Sequence, residues 1–439
     1  MTTASLFPLI PTPDPALSPW HGPEPCSGAN RLHVVIVDEE LPYPANSGKR
    51  IRTLNLVLRL AARHQITYIC HRNADPNEAR CAAAFFQDHH IETIVVDRAV
   101  PPRRGLGFYG RLAANLFSSL PYSVASHTSR ILQETIRTYA ADHSVDLWQC
   151  EWTPYAEALR VLEKGPRLVM AHNVESVIWQ RYYETETHPL KRWYLKEQWR
   201  KYRLFERRAL AEADGTIAVS AADAALLADT FAARRVSIVD NGVDTSHFRP
   251  AETPGDPRRI LFLGSLDWRP NQDAIGQLLD HIFPAVRAAE PAAELWLVGR
   301  KPAEALRRRV FATPGVELYA DVADVCPFLH GSGVLAVPLR IGGGSRLKIL
   351  EALAAGVPVV STRVGAEGLA LEPGRHLTVV EGIEDMVGAL IQCLRAPAAA
   401  RAQAAVGRQR VLERYDWDIL ADRLERVWLA AATNQGVKK

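Results

Sequence analysis

Short unbroken apolar runs recur along the chain, and helical stretches lie between most of them. RLHVVIVDEE (31–40) opens the series, and ordered structure is expected from Leu32. QITYIC (65–70), IETIVVD (91–97), VDLWQC (145–150), RLVMA (167–171) and GTIAVS (215–220) continue it. Runs without polar alternation predict strands buried on both faces. Their alternation with helices, the first predicted from about Ile51 to Arg63, predicts a parallel sheet covered on both sides. The segment ETPGDPRR (252–259) is polar and turn-rich, as a linker is. Beyond it RRILFLGSLDW (258–268) repeats the opening grammar, and ELWLVG (294–299), GVELY (315–319), GVLAVPL (333–339), GVPVVST (356–362) and HLTVV (376–380) follow as strands. The fold expected is α/β, two Rossmann-like doubly wound domains facing a central cleft. Residues 31–250 form the first domain, 251–413 the second, and 414–439 a closing helix and tail. Ligands of such folds bind beyond the carboxyl ends of the strands.

The first thirty residues differ in kind. Seven prolines from Pro8 to Pro25 and the absence of apolar periodicity predict a disordered tail over 1–30. No basic start and apolar core of a secretory signal is present, and no apolar run has the length of a membrane span. A cytoplasmic protein is expected. The six cysteines (26, 70, 81, 150, 326 and 393) are scattered, without zinc spacing, and read as reduced thiols. A net charge of +3 on 439 residues does not suit a dedicated nucleic-acid binder, and no nucleic-acid partner is expected.

Chemistry concentrates in RIGGGSRLKILEALAAG (340–356). Gly342, Gly343 and Gly344 fall between a strand and a helix predicted from Arg346 to Ala355. Backbone N–H groups at such a turn make an anion site, and Arg346 and Lys348 add two positive charges. Glu351 lies five residues after Arg346, about 7.5 Å along a helix, where a carboxylate suits ribose hydroxyls. The pattern spells a nucleotide diphosphate. A glycine turn with two solvated cations and a salt-bridged glutamate is the plainer alternative. GAEGL (365–369) offers a second short glycine loop at a strand end. In the first domain SGKR (47–50) places Gly48 and the charge of Arg50 at a helix start, without the P-loop pattern. His172, in AHNVES directly after a strand, is either a hydrogen-bond partner for a sugar hydroxyl or a plain strand-end cap. GLGFYG (105–110) mimics a dinucleotide fingerprint, but PPRR parts it from its strand, so NAD binding there is rejected. Residues 188–210 interleave basic residues with Trp193, Tyr194, Trp199, Tyr202 and Phe205. An anionic membrane surface or RNA would suit them; the preferred reading is an amphipathic helix packed on its own domain.

Together AHNVES, VSAADAALL, NGVDTSHFRP, FLGSLDWRPN, VPLRIGGGSRLKILEALAAG, VPVVST and GAEGL resemble the glycosyltransferases of family four, which have the GT-B fold. Within that family they are most similar to bacterial sugar transferases of exopolysaccharide clusters. The resemblance implies a retaining, metal-independent transferase with no cofactor and with a nucleotide-diphosphate sugar as donor. Its acceptor would be a glycan or lipid-linked glycan, and peripheral contact with the inner face of the cytoplasmic membrane through 188–210 would fit. It places His172, Arg346 and Lys348 as catalytic groups. Gly48, Gly264, Gly343, Gly344, Glu351, Ala366, Glu367 and Gly368 join Arg346 and Lys348 as donor-binding residues. Gly343 stands where the family has the first glutamate of its E-x7-E motif, and Glu351 matches the second. Two alternatives share the fold class: a nucleotide-sugar 2-epimerase, for which Asp38, Glu39 and Glu40 are the strand-end carboxylates, and a nucleotide-sugar-binding protein without transferase activity.

Overall fold

The computed structural model describes residues 31–102, 105–341 and 346–433. The Pro-rich segment and the glycines 342–344 lie outside them. Among the described residues, thirteen strands form two all-parallel sheets. The first holds β1 (His33–Asp38), β2 (Gln65–His71), β3 (Glu92–Val96), β4 (Leu147–Cys150), β5 (Arg167–Ala171), β6 (Gly215–Ala218) and β7 (Val236–Ile238), in the order β3-β2-β1-β4-β5-β6-β7. The second holds β8 (Asp256–Leu263), β9 (Glu294–Gly299), β10 (Val316–Ala320), β11 (Ser332–Val337), β12 (Val359–Thr362) and β13 (Thr378–Val380), in the order β10-β9-β8-β11-β12-β13. Every predicted strand is present. β7, three residues at a sheet edge, is additional, and no apolar run announced it.

The residues explain the burial. In β1, Val35 and Val37 belong to one core cluster, while Val34 and Ile36 belong to another on the opposite face. An unbroken apolar run is what a strand covered on both sides needs. Strand order reverses between β1 and β4 in the first sheet and between β8 and β11 in the second. Beyond the carboxyl ends at each reversal the connections diverge and leave a crevice.

The helices among the described residues include α1 (Gly48–Ala61), α2 (Leu106–Asn115), α3 (Glu175–Thr185), α4 (Pro189–Glu212), α5 (Ala221–Phe231), α6 (Leu347–Ala354), α7 (Pro397–Arg414) and α8 (Trp417–Thr433). α1 starts three residues earlier than its apolar spacing predicts, because the Ser47 hydroxyl accepts the Arg50 N–H at 3.4 Å and caps it. GLGFYG becomes the start of α2 and carries no dinucleotide turn. Among the described residues no helix is long and apolar enough to cross a membrane.

The final helix returns to the first sheet. Trp417, Leu420, Ala421, Leu424 and Trp428 share one face of α8 and join the cluster that holds Val34 and Ile36. The Trp428 indole N–H donates to the Gln149 side-chain oxygen at 2.7 Å, and Arg63 on the chain just after α1 meets Asp422 and Glu425. The chain therefore passes between the two units twice. The passages touch: Val243 N–H donates to the Tyr415 carbonyl at 2.9 Å, and Asp240 receives Arg414 and Arg423 at 3.1 and 2.8 Å.

Candidate functional site

At the first crevice, β1 delivers Asp38 and β4 delivers Glu151, with His172 beside them at the end of β5. Glu151 is 2% exposed. Its Oε2 accepts the Thr53 hydroxyl at 3.0 Å and lies 3.2 Å from His172 Nε2, and the Gln149 amide donates to Oε1. Burial is the largest influence on this carboxylate and favours its neutral form. His172, Arg52 and Thr53 together outweigh it and hold the pKa below the ordinary value. Arg52 is fully buried, bonded to the carbonyls of Val239 and Asp240, and burial pulls it down to about 10.

Gly48 is the first residue of α1, beside this cluster. The expected free charge of Arg50 is not there: its guanidinium is taken by Glu40 and by Glu78 at 3.0 Å. The carboxylates an epimerase would need are also engaged. Asp38 binds Lys49 and accepts the Tyr68 hydroxyl at 2.6 Å. Glu39 faces His127 and Lys49, and Glu40 holds Arg50.

At the second crevice, Arg346 occupies the cap position before α6, one residue outside the helix predicted for it. Its side chain folds back into the protein. It is 6% exposed and donates from Nη2 to the Val364 carbonyl at 2.8 Å, with Glu367 Oε2 at 3.6 Å. Its Nε–H is buried without an acceptor among the described residues. Such a donor is costly to leave unmet and fits an oxygen ligand. Lys348 donates to Asn271 Oδ1 at 3.1 Å and lies 4.6 Å from the centre of the Phe262 ring. Burial lowers the Lys348 ammonium to about 7 and raises the Glu351 carboxyl, one turn on, to about 7; each opposes the shift of the other. Burial thus makes Lys348 a weaker cation than the solvated charge the sequence predicts.

Gly264 ends the β8 turn at φ +153°. A Cβ there would stand 2.6 Å from Asn271 Nδ2 and 2.9 Å from Lys348 Nζ, so a side chain would evict the ammonium. Ala366, Glu367 and Gly368 follow β12 through a single helical turn. Glu367 Oε1 lies 3.7 Å from Arg181 of α3, and a Cβ on Gly368 (φ +82°) would reach within 3.4 Å of Ser220, which caps α5. Arg181 and Ser220 belong to the first unit, so these contacts bring the two halves together. Gly343 and Gly344 lie outside the described residues.

Sequence reasoning missed Glu151, Asn271 and Arg181. Glu151 carried a readable signal, since it follows its strand directly, as His172 does. Another grouping joins residues far apart in sequence: His247 Nε2 lies 3.3 Å from both Asp324 Oδ1 and Cys326 Sγ, and the three are already bonded to one another. The five cysteines among the described residues are free thiols.

Two family models match the chain. One described as "Glycosyltransferase Family 4" matches residues 47–247, and one described as "Glycosyl transferases group 1" matches 257–396. A glycogen synthase of Mycobacterium tuberculosis is 26% identical over 207 residues, covering 45% of this chain and 49% of its own length. A phosphatidyl-myo-inositol mannosyltransferase of Mycobacterium leprae is 30% identical over 206 residues, covering 45% and 54%. The chain thus spans about half the length of the curated relatives it matches. Among solved structures, Anabaena Alr3699/HepE in complex with UDP and glucose superposes with a TM-score of 0.62 at 14% identity, over 90% of this chain and 99% of that one. A glycosyltransferase from Rickettsia africae gives 0.64 at 12%, over 92% and 100%. At these identities the structures speak for the fold. With two parallel-sheet units and matches to a first-unit and a second-unit model, the chain belongs to the family-four glycosyltransferases of the GT-B fold.

Proposed function

We propose that the protein transfers a sugar from a nucleotide-diphosphate sugar to an acceptor hydroxyl, with retention and without a metal. The acceptor is a glycan or lipid-linked glycan, in the synthesis of exopolysaccharide or another cell-surface glycan. The observation that carries this reading is the group Arg346, Lys348 and Glu351 at the second crevice, with a buried guanidinium N–H that has no acceptor among the described residues. The names of similar proteins point the same way: a Corynebacterium glutamicum mannosyltransferase, 28% identical over 207 residues, is named as GDP-mannose-dependent, and Anabaena HepE was solved with UDP and glucose.

The diphosphate sits against Arg346 and Lys348, Glu351 takes the ribose hydroxyls, and Gly264 leaves room for Lys348. Gly48, Gly343, Gly344, Ala366, Glu367 and Gly368 give backbone approach around the donor. As the bond from the anomeric carbon to the diphosphate breaks, Arg346 and Lys348 stabilise the charge on the leaving group. The acceptor oxygen bonds to that carbon on the same face, and its proton passes to a diphosphate oxygen. His172, held by Glu151, orients the sugar.

The test is a thermal-shift screen against UDP, GDP, ADP, CMP, NAD and the corresponding nucleotide sugars. A ligand at 100 times its dissociation constant adds about 2.7 kcal/mol, so a shift with one nucleotide diphosphate is expected. Silence at saturating ligand overturns the donor assignment. With the donor known, turnover unchanged by EDTA and a product of the donor's anomeric configuration are expected.

A further inference from the structure

Three side chains able to ligate a metal converge where the connection between the units meets the second unit. His247 lies on that connection, between β7 and β8. Asp324 and Cys326 lie between β10 and β11, where Cys326 opens the short helix Cys326–His330. His247 is 77 residues from Asp324 and 79 from Cys326, so the spacing of cysteines along the chain held no sign of the group. The distances suit a coordination shell. His247 Nε2 lies 3.3 Å from Asp324 Oδ1 and 3.3 Å from Cys326 Sγ, and the three ligand atoms fall within 4.8 Å of one another. Tetrahedral zinc bonds nitrogen and oxygen at about 2.0 Å and sulfur at about 2.3 Å, which sets nitrogen about 3.3 Å from oxygen and about 3.5 Å from sulfur. Nε2 carries one proton or one lone pair, yet it faces two partners. A cation between the three would satisfy both contacts at once.

The fold holds each ligand in place beforehand. Asp244 accepts the His247 backbone N–H at 3.0 Å, and the His247 ring packs edge-on against Phe248 with centres 4.8 Å apart. Asp324 Oδ1 accepts the Cys326 backbone N–H at 2.9 Å. At the far end of the short helix, His330 Nε2 lies 2.8 Å from the Arg249 carbonyl and ties the helix to the same connection. Cys326 is 6% exposed, whereas the Asp324 side chain is 30% exposed. The group is thus closed at the sulfur and open at the carboxylate, where a metal can enter and a water can take the fourth place. One imidazole nitrogen, one carboxylate oxygen and one thiolate suit zinc; calcium and magnesium take oxygen ligands. The carboxylate and the thiolate together balance a divalent charge.

We propose that His247, Asp324 and Cys326 bind one zinc ion, which clips the connection between the units onto the second unit. On ligation the Cys326 thiol releases its proton to solvent and its sulfur bonds to the metal, with no change of oxidation state. The role is structural and the ion takes no part in the transfer, so the proposal is independent of the donor assignment. The test titrates the chelator-stripped full chain with zinc against a chromophoric chelator. One zinc per chain is expected, with a rise in melting temperature that magnesium at the same concentration does not give. Cobalt in place of zinc should show the visible bands of a tetrahedral site and a thiolate-to-cobalt band in the near ultraviolet. Cys326→Ala should lose the thiolate band. That variant and His247→Gln should each weaken zinc binding by about a hundredfold or more, since even a group that only supports a ligand costs about ten- to a hundredfold. Should Cys326→Ala fail to fold, Asp324→Asn, which keeps an acceptor for the Cys326 N–H, must show the same loss. Absence of stoichiometric zinc binding overturns the proposal. So does zinc binding that these variants leave intact, which would put the ion on other thiols or histidines.

Discussion

Lys348 and Glu351 stand one turn apart on α6, each driven toward neutrality by burial. A diphosphate beside Lys348 would restore its charge. Just above pH 7, donor binding should therefore take up a proton, read as a dependence of calorimetric binding heat on buffer ionisation. Lys348→Met should abolish that dependence. Lys348→Ala should lower turnover by roughly ten- to a thousandfold, as removal of one preorganised charge at a leaving group does. Glu351→Ala should weaken nucleotide binding by roughly 1.5–3 kcal/mol in calorimetry, the range for hydrogen bonds to a charged group. His172, Arg346 and Lys348 were legible in sequence because each sits directly beyond a strand or at a helix start, and Glu351 because it lies five residues after Arg346 on the same helix. Their partners were less so. Asn271 reaches Lys348 from a helix 77 residues away, and nothing local marks it.

At the scale of elements, α3 is held at its start by a residue of α4. Both oxygens of Glu206 accept its first backbone N–H groups, from Glu175 at 2.7 Å and Ser176 at 3.0 Å. Burial still prevails and pushes the Glu206 carboxyl from 4.5 up to about 8. The folded protein therefore binds a proton that the unfolded chain gives up above 4.5. The stabilising contribution is complete below 4.5 and is lost as pH rises through about 8. Melting temperature should fall across that window, and Glu206→Gln should flatten the fall. Unbroken apolar runs made the principal strands legible, and interleaved basic and aromatic residues made α4 legible as a helix. β7 was not, because three residues on a sheet edge are too few to show a period. The preferred reading of 188–210, an amphipathic helix whose aromatics pack on its own domain and whose charges face water, holds for buried Tyr202 and Phe205 and for the exposed basic residues; Trp193, half exposed, departs from it.

For the whole molecule, two sheets followed from two repeats of one grammar, whereas the return of α8 to the first unit did not. Its apolar stripe says that it packs, and no single stripe says on what. Trp428 is fully buried there, so Trp428→Ala should cost about 3–5 kcal/mol in denaturant unfolding, through the cavity it leaves and the unpaired Gln149 oxygen. The paired passages near Val243 and Tyr415 have a mechanical consequence. One tether would let the halves swivel in any direction. Two that lie side by side, locked by Asp240, act as the knuckles of a door. Such a pair of tethers restricts how the halves can turn against each other more than a single one would, and the contact of Arg181 with Glu367 is a second tie between them.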